Sequence, residues 1–257
     1  MERLMKIATD AAIMASKEIM RIYESADEDF GIELKGDDSP LTLADKASHK
    51  CIIKHLEQTN IPVLSEEGAN IPYEERKEWK RLWIVDPLDG TKEFIKRNGE
   101  FTINIALVEN GAPLYGLIYL PVKREFYAGL VGYGSYKFTG EKVLHLQKLP
   151  FSQVEPRPFT VAASRSHLSP DTDYYIKLLR KEHGLIDVVN RGSSLKMCMV
   201  AEGSADVYPR FAPTMEWDTA AGDAICRAAG RKVVDAKTGE PLTYNKPDLH
   251  NPWFVAK

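Results

Sequence analysis

The chain is short of cysteine, of long apolar runs and of net charge, and each shortage closes off a class of protein. Its three cysteines, Cys51, Cys198 and Cys226, are odd in number and scattered, and none forms a C-x-x-C pair. Disulfide frameworks and zinc sites need paired or clustered thiols, so these read as buried free thiols of a reducing compartment. No apolar run approaches the roughly 20 residues that cross a bilayer. Ala11 to Ala15 is short and flanked by Asp10 and Lys17, unlike a secretory signal. The expected location is cytoplasmic, and any membrane contact would be peripheral, at the inner membrane. With 34 basic and 37 acidic residues the net charge is −3. No global basic field recruits nucleic acid, and no basic aromatic platform offers to bind it. An anionic ligand must then be held by local devices or by metal. No internal repeat or low-complexity tract is present.

What is present is an ordinary globular composition, 44% apolar and 28% charged over 257 residues. That is enough for one large domain or two small ones. The chain is organised around Leu82-Trp-Ile-Val-Asp86-Pro-Leu88-Asp89-Gly90-Thr91-Lys-Glu93-Phe94. Leu82 to Val85 reads as a short buried strand. Two short carboxylates follow it, three residues apart around a proline, and both must serve something held at the strand's end. Hard oxygen ligands on a rigid turn suit a divalent cation such as Mg²⁺. The Gly90 and Thr91 amides, at a helix start, suit a phosphate. A polar turn in which Asp89 caps a helix satisfies the same residues.

Earlier in the chain, Leu4, Ile7, Ala8, Ala11, Ala15, Ile19 and Ile22 share one face of a helix over residues 2–23. Phe30, Ile32 and Leu34 alternate as a short strand, and residues 35–40 are loop-like. Thr42 is placed to cap a second helix, with Asp45 at its third position, where a carboxylate is favoured in any case. A strand over Ile61 to Leu64 ends in Ser65-Glu66-Glu67-Gly68, repeating the acid-after-strand arrangement; solvated surface glutamates would look the same. Residues 73–81 are charge-rich and read as a solvated face. Asn110-Gly111 between apolar runs predicts a hairpin. The first half is expected to be two helices and an antiparallel sheet.

Pro150, Pro156 and Pro158 mark a change of character. We divide the chain into residues 1–152, helices plus antiparallel sheet, and 153–257, an α/β subdomain. The second half alternates: strand 159–163, helix about 171–183, strand 186–189, helix 194–202, strand 206–208, helix 219–229, strand 232–234. Ser164-Arg-Ser-His167 directly follows a strand, where ligands bind in open α/β sheets. Gly192-Ser-Ser-Leu-Lys196 opens a helix, a good anion seat. Asp218 stands at the start of another helix. For His167 alone a structural histidine is the commoner explanation, and for Asp218 alone an N-cap. Ser164 lacks the G-x-S-x-G setting of a serine hydrolase.

Taken together, Thr42-Leu-Ala-Asp45, Ser65-Glu66-Glu-Gly, Asp86-Pro-Leu-Asp-Gly-Thr91 and Trp217-Asp218-Thr-Ala-Ala-Gly222 stand in the order typical of the inositol monophosphatase superfamily. Its members are metal-dependent, lithium-sensitive phosphomonoesterases. The resemblance runs from the first helix to about residue 235. Lys92-Glu93-Phe94 and Val161-Ala-Ala-Ser-Arg-Ser-His167 further resemble its CysQ-type 3′(2′),5′-bisphosphate nucleotidases. Inositol monophosphatases more usually carry Asn-Phe in place of Glu93-Phe94 and lack the Ser-Arg-Ser-His run. Gly230 is followed by Arg231, where the family often has Gly-Gly.

The resemblance implies a layered α-β-α-β-α sandwich. Glu66, Asp86, the Leu88 carbonyl, Asp89 and Asp218 would ligate two or three Mg²⁺. Asp45 and Thr91 would orient and deprotonate the attacking water. Gly90 and Thr91 would hold the scissile phosphate, with Glu66 and Asp218 also at the substrate. Ser164, His167, Gly192 and Lys196 would hold the nucleotide and its second phosphate. Glu67 completes the usual acid pair, as a support for Glu66. The implied substrate is a small nucleotide, adenosine 3′(2′),5′-bisphosphate, with 3′-phosphoadenylyl sulfate beside it, in the service of sulfur assimilation. Inositol or sugar monophosphatase activity is the alternative, and a non-catalytic metal or nucleotide sensor a further one. Neither a monomer nor a homodimer is excluded.

Overall fold

The computed structural model describes residues 1–25, 30–36, 40–140, 144–151, 156–164 and 169–257. In chain order the elements are α1 (Glu2–Tyr23), β1 (Glu33–Leu34), β2 (Pro40–Leu41), α2 (Leu43–Leu56), β3 (Val63–Ser65), α3 (Tyr73–Arg76), β4 (Arg81–Asp89), α4 (Thr91–Ile95), β5 (Thr102–Glu109), β6 (Ala112–Leu120), β7 (Glu125–Leu130), β8 (Gly134–Thr139), β9 (Leu144–Leu149), β10 (Phe159–Ser164), α5 (Pro170–His183), β11 (Ile186–Arg191), α6 (Leu195–Glu202), β12 (Tyr208–Arg210), α7 (Glu216–Ala228), β13 (Val233–Asp235) and β14 (Phe254–Ala256).

A seven-stranded sheet, ordered β3-β4-β5-β6-β7-β8-β9, forms the frame. Successive side chains of a strand face opposite ways, and at the centre of this sheet both faces are buried, so β4, β5 and β6 are largely apolar. Trp83, Val85, Ile103, Ile105 and Leu107 pack with α1 and α2 on one face. Leu82, Ile84, Ala106 and Val108 pack with α6 and α7 on the other. Beyond α6 and α7 lie the parallel pair β10–β11 and the sheet β12-β14-β13, joined through a parallel bridge between Val161 and Val207. Helix α5 covers that second layer through Ile176 and Leu179. The order helices, sheet, helices, sheet, helix is the five-layer sandwich expected. The proposed boundary at residues 152 and 153 lies outside the described residues.

Helix α7 lies flush on the sheet because the strands beneath it carry glycine. A Cβ at Gly116 would stand 2.1 Å from the Ala221 carbonyl oxygen, and one at Gly129 would stand 2.8 Å from the Ile225 Cα. Gly222 on the helix itself makes room for Met197, whose Sδ would be 2.6 Å from an added Cβ.

The hairpin at Asn110-Gly111 forms as read, with φ of 50° and 75° at the two residues, the left-handed pair that a tight turn of this hand needs. Other expectations are corrected. The first-half sheet is not wholly antiparallel, since β3 runs parallel to β4. The strand expected over 30–34 is confined to Glu33–Leu34. Helix α7 begins three residues before the expected start, because Met215 already has the extended conformation of an N-cap. Strands β12 and β13 lie slightly further along the chain than read, and β2, whose Pro40 fell in the expected loop, β9 and β14 went unread. Residues 73–81 are not all solvated. Arg76 is buried, donating to the Ile71, Lys246 and Pro247 carbonyls and to Asn245 Oδ1. Its guanidinium ties the α3 turn to the C-terminal segment.

Candidate active site

The acids converge because β4 breaks its ladder at the right place. Asp86 pairs with Asn104 and Asp89 with Thr102, with a shift of register between them. Pro87 offers no backbone donor, so regular pairing cannot continue there, and a bulge re-aims the flanking side chains. The turn is pinned from both sides. Ser48 on α2 donates to the Pro87 carbonyl at 2.7 Å, and the Leu88 amide donates to Asp86 Oδ1 at 3.0 Å. Gly90 then takes φ +94°, and α4 starts at Thr91.

Asp45 serves two ends at once. Its Oδ2 accepts from the Thr42 amide at 2.8 Å and from Thr42 Oγ1 at 2.5 Å, closing the capping box of α2. Its Oδ1 accepts from Thr91 Oγ1 at 3.0 Å. The cap and the chemical pair are therefore not alternatives. Burial pushes the Asp45 carboxyl up, opposed by the Thr42 and Thr91 bonds.

Glu66, just past β3, meets Asp86 and Asp89 at the end of β4 and Asp218 in the first turn of α7. Asp86 is fully enclosed, and its carboxyl is pushed far up, first by burial and then by Glu66, Asp89 and Asp218. Asp218 is pushed up to about 8, first by burial and then by Asp89. Its Oδ2 accepts from the Met215 amide at 2.8 Å, so here too the cap and the site share one carboxylate. Glu66 is raised by burial and partly relieved by Lys35, whose Nζ sits 2.6 Å from Glu66 Oε1 and 2.7 Å from Glu67 Oε1. Asp89 Oδ2 accepts from Ser194 Oγ at 2.7 Å, with Asn104 and Thr102 near it. Among the described residues no three acidic side chains close into a ready-made cage. The donor set nonetheless fits a hard divalent cation: carboxylate oxygens with too little positive charge of their own, and the Leu88 carbonyl beside them.

These acids floor a cleft of about 290 Å³ whose lining includes Glu66, Asp89, Gly90, Thr91, Asp218 and Lys196. Ser164 and Gly192 also line it. Ser164 is placed by β10, whose last residue pairs with Arg191 at the end of β11. His167 lies outside the described residues. Gly192 donates its amide to Glu100 Oε2 at 2.8 Å, and a side chain there would collide with Glu93. Lys196 is buried, with Nζ donating to the Arg191 and Ser193 carbonyls at 3.2 and 2.5 Å, above the Tyr208 ring. Burial lowers it to about 8, against the pull of Asp89.

Four cleft residues, Ser193, Ser194, Arg191 and Arg210, received no individual role from the sequence, although the two serines lie inside the anion seat read there. Ser194 bridges Asp89 Oδ2 and the Asp218 carbonyl. Ser193, at φ 49°, donates to the Asp89 and Glu100 carbonyls. Arg191 and Arg210 add positive charge to the lining. Arg210 Nε is buried with no hydrogen-bond partner among the described residues. The hydroxyls stood in plain view inside Gly192-Ser-Ser. The arginines carried no local signal, since only the fold brings β11 and β12 to the cleft.

The model of the inositol monophosphatase family matches residues 1–253. The 3′(2′),5′-bisphosphate nucleotidase CysQ of Salmonella typhimurium is 45% identical over 244 residues, covering 93% of this chain and 94% of that protein. The crystal structure of CysQ from Bacteroides thetaiotaomicron, described as a bacterial member of the inositol monophosphatase family, superposes with a TM-score of 0.90. It is 52% identical over 98% of this chain and 96% of that one. The extragenic suppressor protein SuhB of Bartonella henselae is more distant, at 26% identity and a TM-score of 0.72, over 99% of this chain and 93% of that one.

Proposed function

The chain belongs to the inositol monophosphatase family, and from that premise we propose that it is a Mg²⁺-dependent 3′(2′),5′-bisphosphate nucleotidase. It releases phosphate from adenosine 3′,5′-bisphosphate to leave AMP. The observation that carries this reading is the mixed charge of one cleft. Buried acids whose carboxyls are pushed up share its lining with three cations, Lys196, Arg191 and Arg210. A monoester with a second phosphate can use both the acids, through bound cations, and the basic side chains; a singly phosphorylated sugar alcohol has no second phosphate to give the latter.

Glu66, Asp86, the Leu88 carbonyl, Asp89 and Asp218 would hold the cations. Bound there, Mg²⁺ supplies charge neutralisation at the phosphoryl oxygens and a more acidic water. The chain's own residues do the rest. Thr91 Oγ1 donates to Asp45, which leaves its lone pairs free to accept from the attacking water and pass the proton to the carboxylate. The Gly90 and Thr91 amides orient the scissile phosphate, and orientation of this kind contributes several kcal/mol. Ser164, His167, Gly192 and Lys196, joined by Arg210, bind the nucleotide and its remote phosphate. In this reading residues 1–152 carry most cation ligands, and residues 153–257 carry the nucleotide contacts and the last ligand. A cytoplasmic role in sulfur assimilation follows, with 3′-phosphoadenylyl sulfate as a second substrate. Among the described residues no helix is long and apolar enough to cross a membrane.

The test is phosphate release with Mg²⁺ from adenosine 3′,5′-bisphosphate and from inositol 1-phosphate, side by side, with and without lithium. Strong preference for the nucleotide, inhibited by lithium, is expected. Preference for inositol phosphate would overturn the assignment of Lys196, Arg191 and Arg210 to the second phosphate.

A further inference from the structure

Glu93 is an acid of the cleft that the mechanism above does not use. It lies on α4, two residues past Thr91, lines the cleft, and is 8% exposed. Its carboxylate accepts from its own backbone amide and, among the described residues, from no other group. A Cβ on Gly192 would come within 2.8 Å of its Cγ and 3.2 Å of its Cδ, and one on Gly90 within 3.4 Å of its Oε2. The carboxylate is thus wedged between the Gly90 turn and the Gly192 loop. Burial raises it, Asp89 adds to the rise, and Lys196 and Lys96 oppose it.

Such a group is a burden in a phosphatase unless it has a partner. An ionised carboxylate only accepts hydrogen bonds, and it repels a phosphate brought beside it. Its natural complement is a neutral donor carried by the substrate next to the ester. Of the donors on a ribose monoester, the hydroxyl on the neighbouring carbon is the closest to the phosphate. We propose that Glu93 accepts this vicinal hydroxyl, so that the cleft selects cis-diol phosphates over their deoxy counterparts. The inference rests on the bisphosphate-nucleotidase reading. It holds for either regioisomer, because a 3′-phosphate leaves the 2′-hydroxyl free and a 2′-phosphate leaves the 3′-hydroxyl. A substrate lacking that hydroxyl would leave a buried acid unpaired. The loss for a hydrogen bond to a charged group is about 10- to 100-fold in kcat/KM.

The experiment measures kcat/KM with Mg²⁺ for adenosine 3′,5′-bisphosphate and its 2′-deoxy analogue, in the wild type, Glu93→Gln and Glu93→Ala. The wild type is expected to prefer the ribonucleotide about 10- to 100-fold. In Glu93→Ala the ratio collapses toward one. Glu93→Gln, which keeps the shape and one acceptor oxygen and so guards against a folding failure, retains a reduced preference. A wild type that treats both nucleotides alike overturns the inference while leaving the nucleotidase reading intact. Equal losses on both substrates in Glu93→Ala also overturn it and make Glu93 a strut for the Gly192 loop. A wild type that hydrolyses neither nucleotide removes the nucleotidase reading, and the inference with it.

Discussion

Glu216 and Asp223 share helix α7 with Asp218, two residues before it and five after, yet their surroundings are opposite. Glu216 is sealed in the core and receives Lys246 Nζ at 2.5 Å and the Asn245 amide at 2.6 Å. Asp223, equally sealed, is held by Arg227 through two bonds of 2.7 and 2.8 Å and by the Tyr244 hydroxyl. Asp218 receives one backbone amide and faces Asp89. Acids that only build the fold are given their counter-charges by the chain. The acid at the cleft has no ion pair among the described residues, only the more distant pull of Arg210, and a buried, strongly perturbed acid lining a cleft marks a candidate functional site.

The largest expected effect tests the uncompensated side. Asp86→Asn should cut Mg²⁺-dependent phosphate release by on the order of 10³-fold, several kcal/mol of transition-state stabilisation. Melted in chelator, the same variant should gain ~2–4 °C, because a buried, mutually repelling carboxylate is gone. A variant that lost both activity and stability would place Asp86 with the structural acids and dissolve the contrast. The compensated side should behave in reverse. Asp223→Ala strands the Arg227 guanidinium and should cost about 3–5 kcal/mol of stability, read by denaturant titration, with turnover per folded molecule little changed.

A third test adds the missing charge. Mg²⁺ at a hundredfold its dissociation constant should stabilise the wild type by about 2.7 kcal/mol in thermal melts. That gain should vanish in Asp218→Asn and survive in Asp223→Asn; equal gains in both would contradict the division. The smallest effect concerns the buried cation of the cleft. Lys196 is lowered to about 8, so its charge is present below that pH and lost above it. KM for the bisphosphate should climb about tenfold from pH 7 to pH 9, and Lys196→Met should flatten the climb. A flat wild-type profile would remove Lys196 from substrate binding.

Much of the acid end was legible because its signals are local. A strand, a proline and two aspartates occupy residues 82–89, and Thr42 announces both its cap and Asp45 within four positions. The compensation pattern was not legible. Glu216 takes its partner from Lys246 and Arg76 takes one from Asn245, 30 and 169 residues away. Nothing in 73–81 distinguishes the buried guanidinium of Arg76 from the solvated charges beside it. Arg210 and Arg191 were hidden for the same reason: their meaning lies in which strand ends the fold brings together. The helix α7 start was misplaced because Met215, a poor capping residue, sits where the cap is made by geometry and by Asp218.

Gly116, which does not line the cleft, has a consequence inside it. The Ala221 carbonyl that rests on it lies three residues from Asp218, about 4.5 Å along the helix axis. The absence of a side chain in the middle of a strand thereby sets the height at which a distant carboxylate is held. A single added methyl group there would act as a shim under the helix. It would lift the acid out of register with Asp86 and Asp89 and silence the enzyme without touching any group that takes part in the reaction.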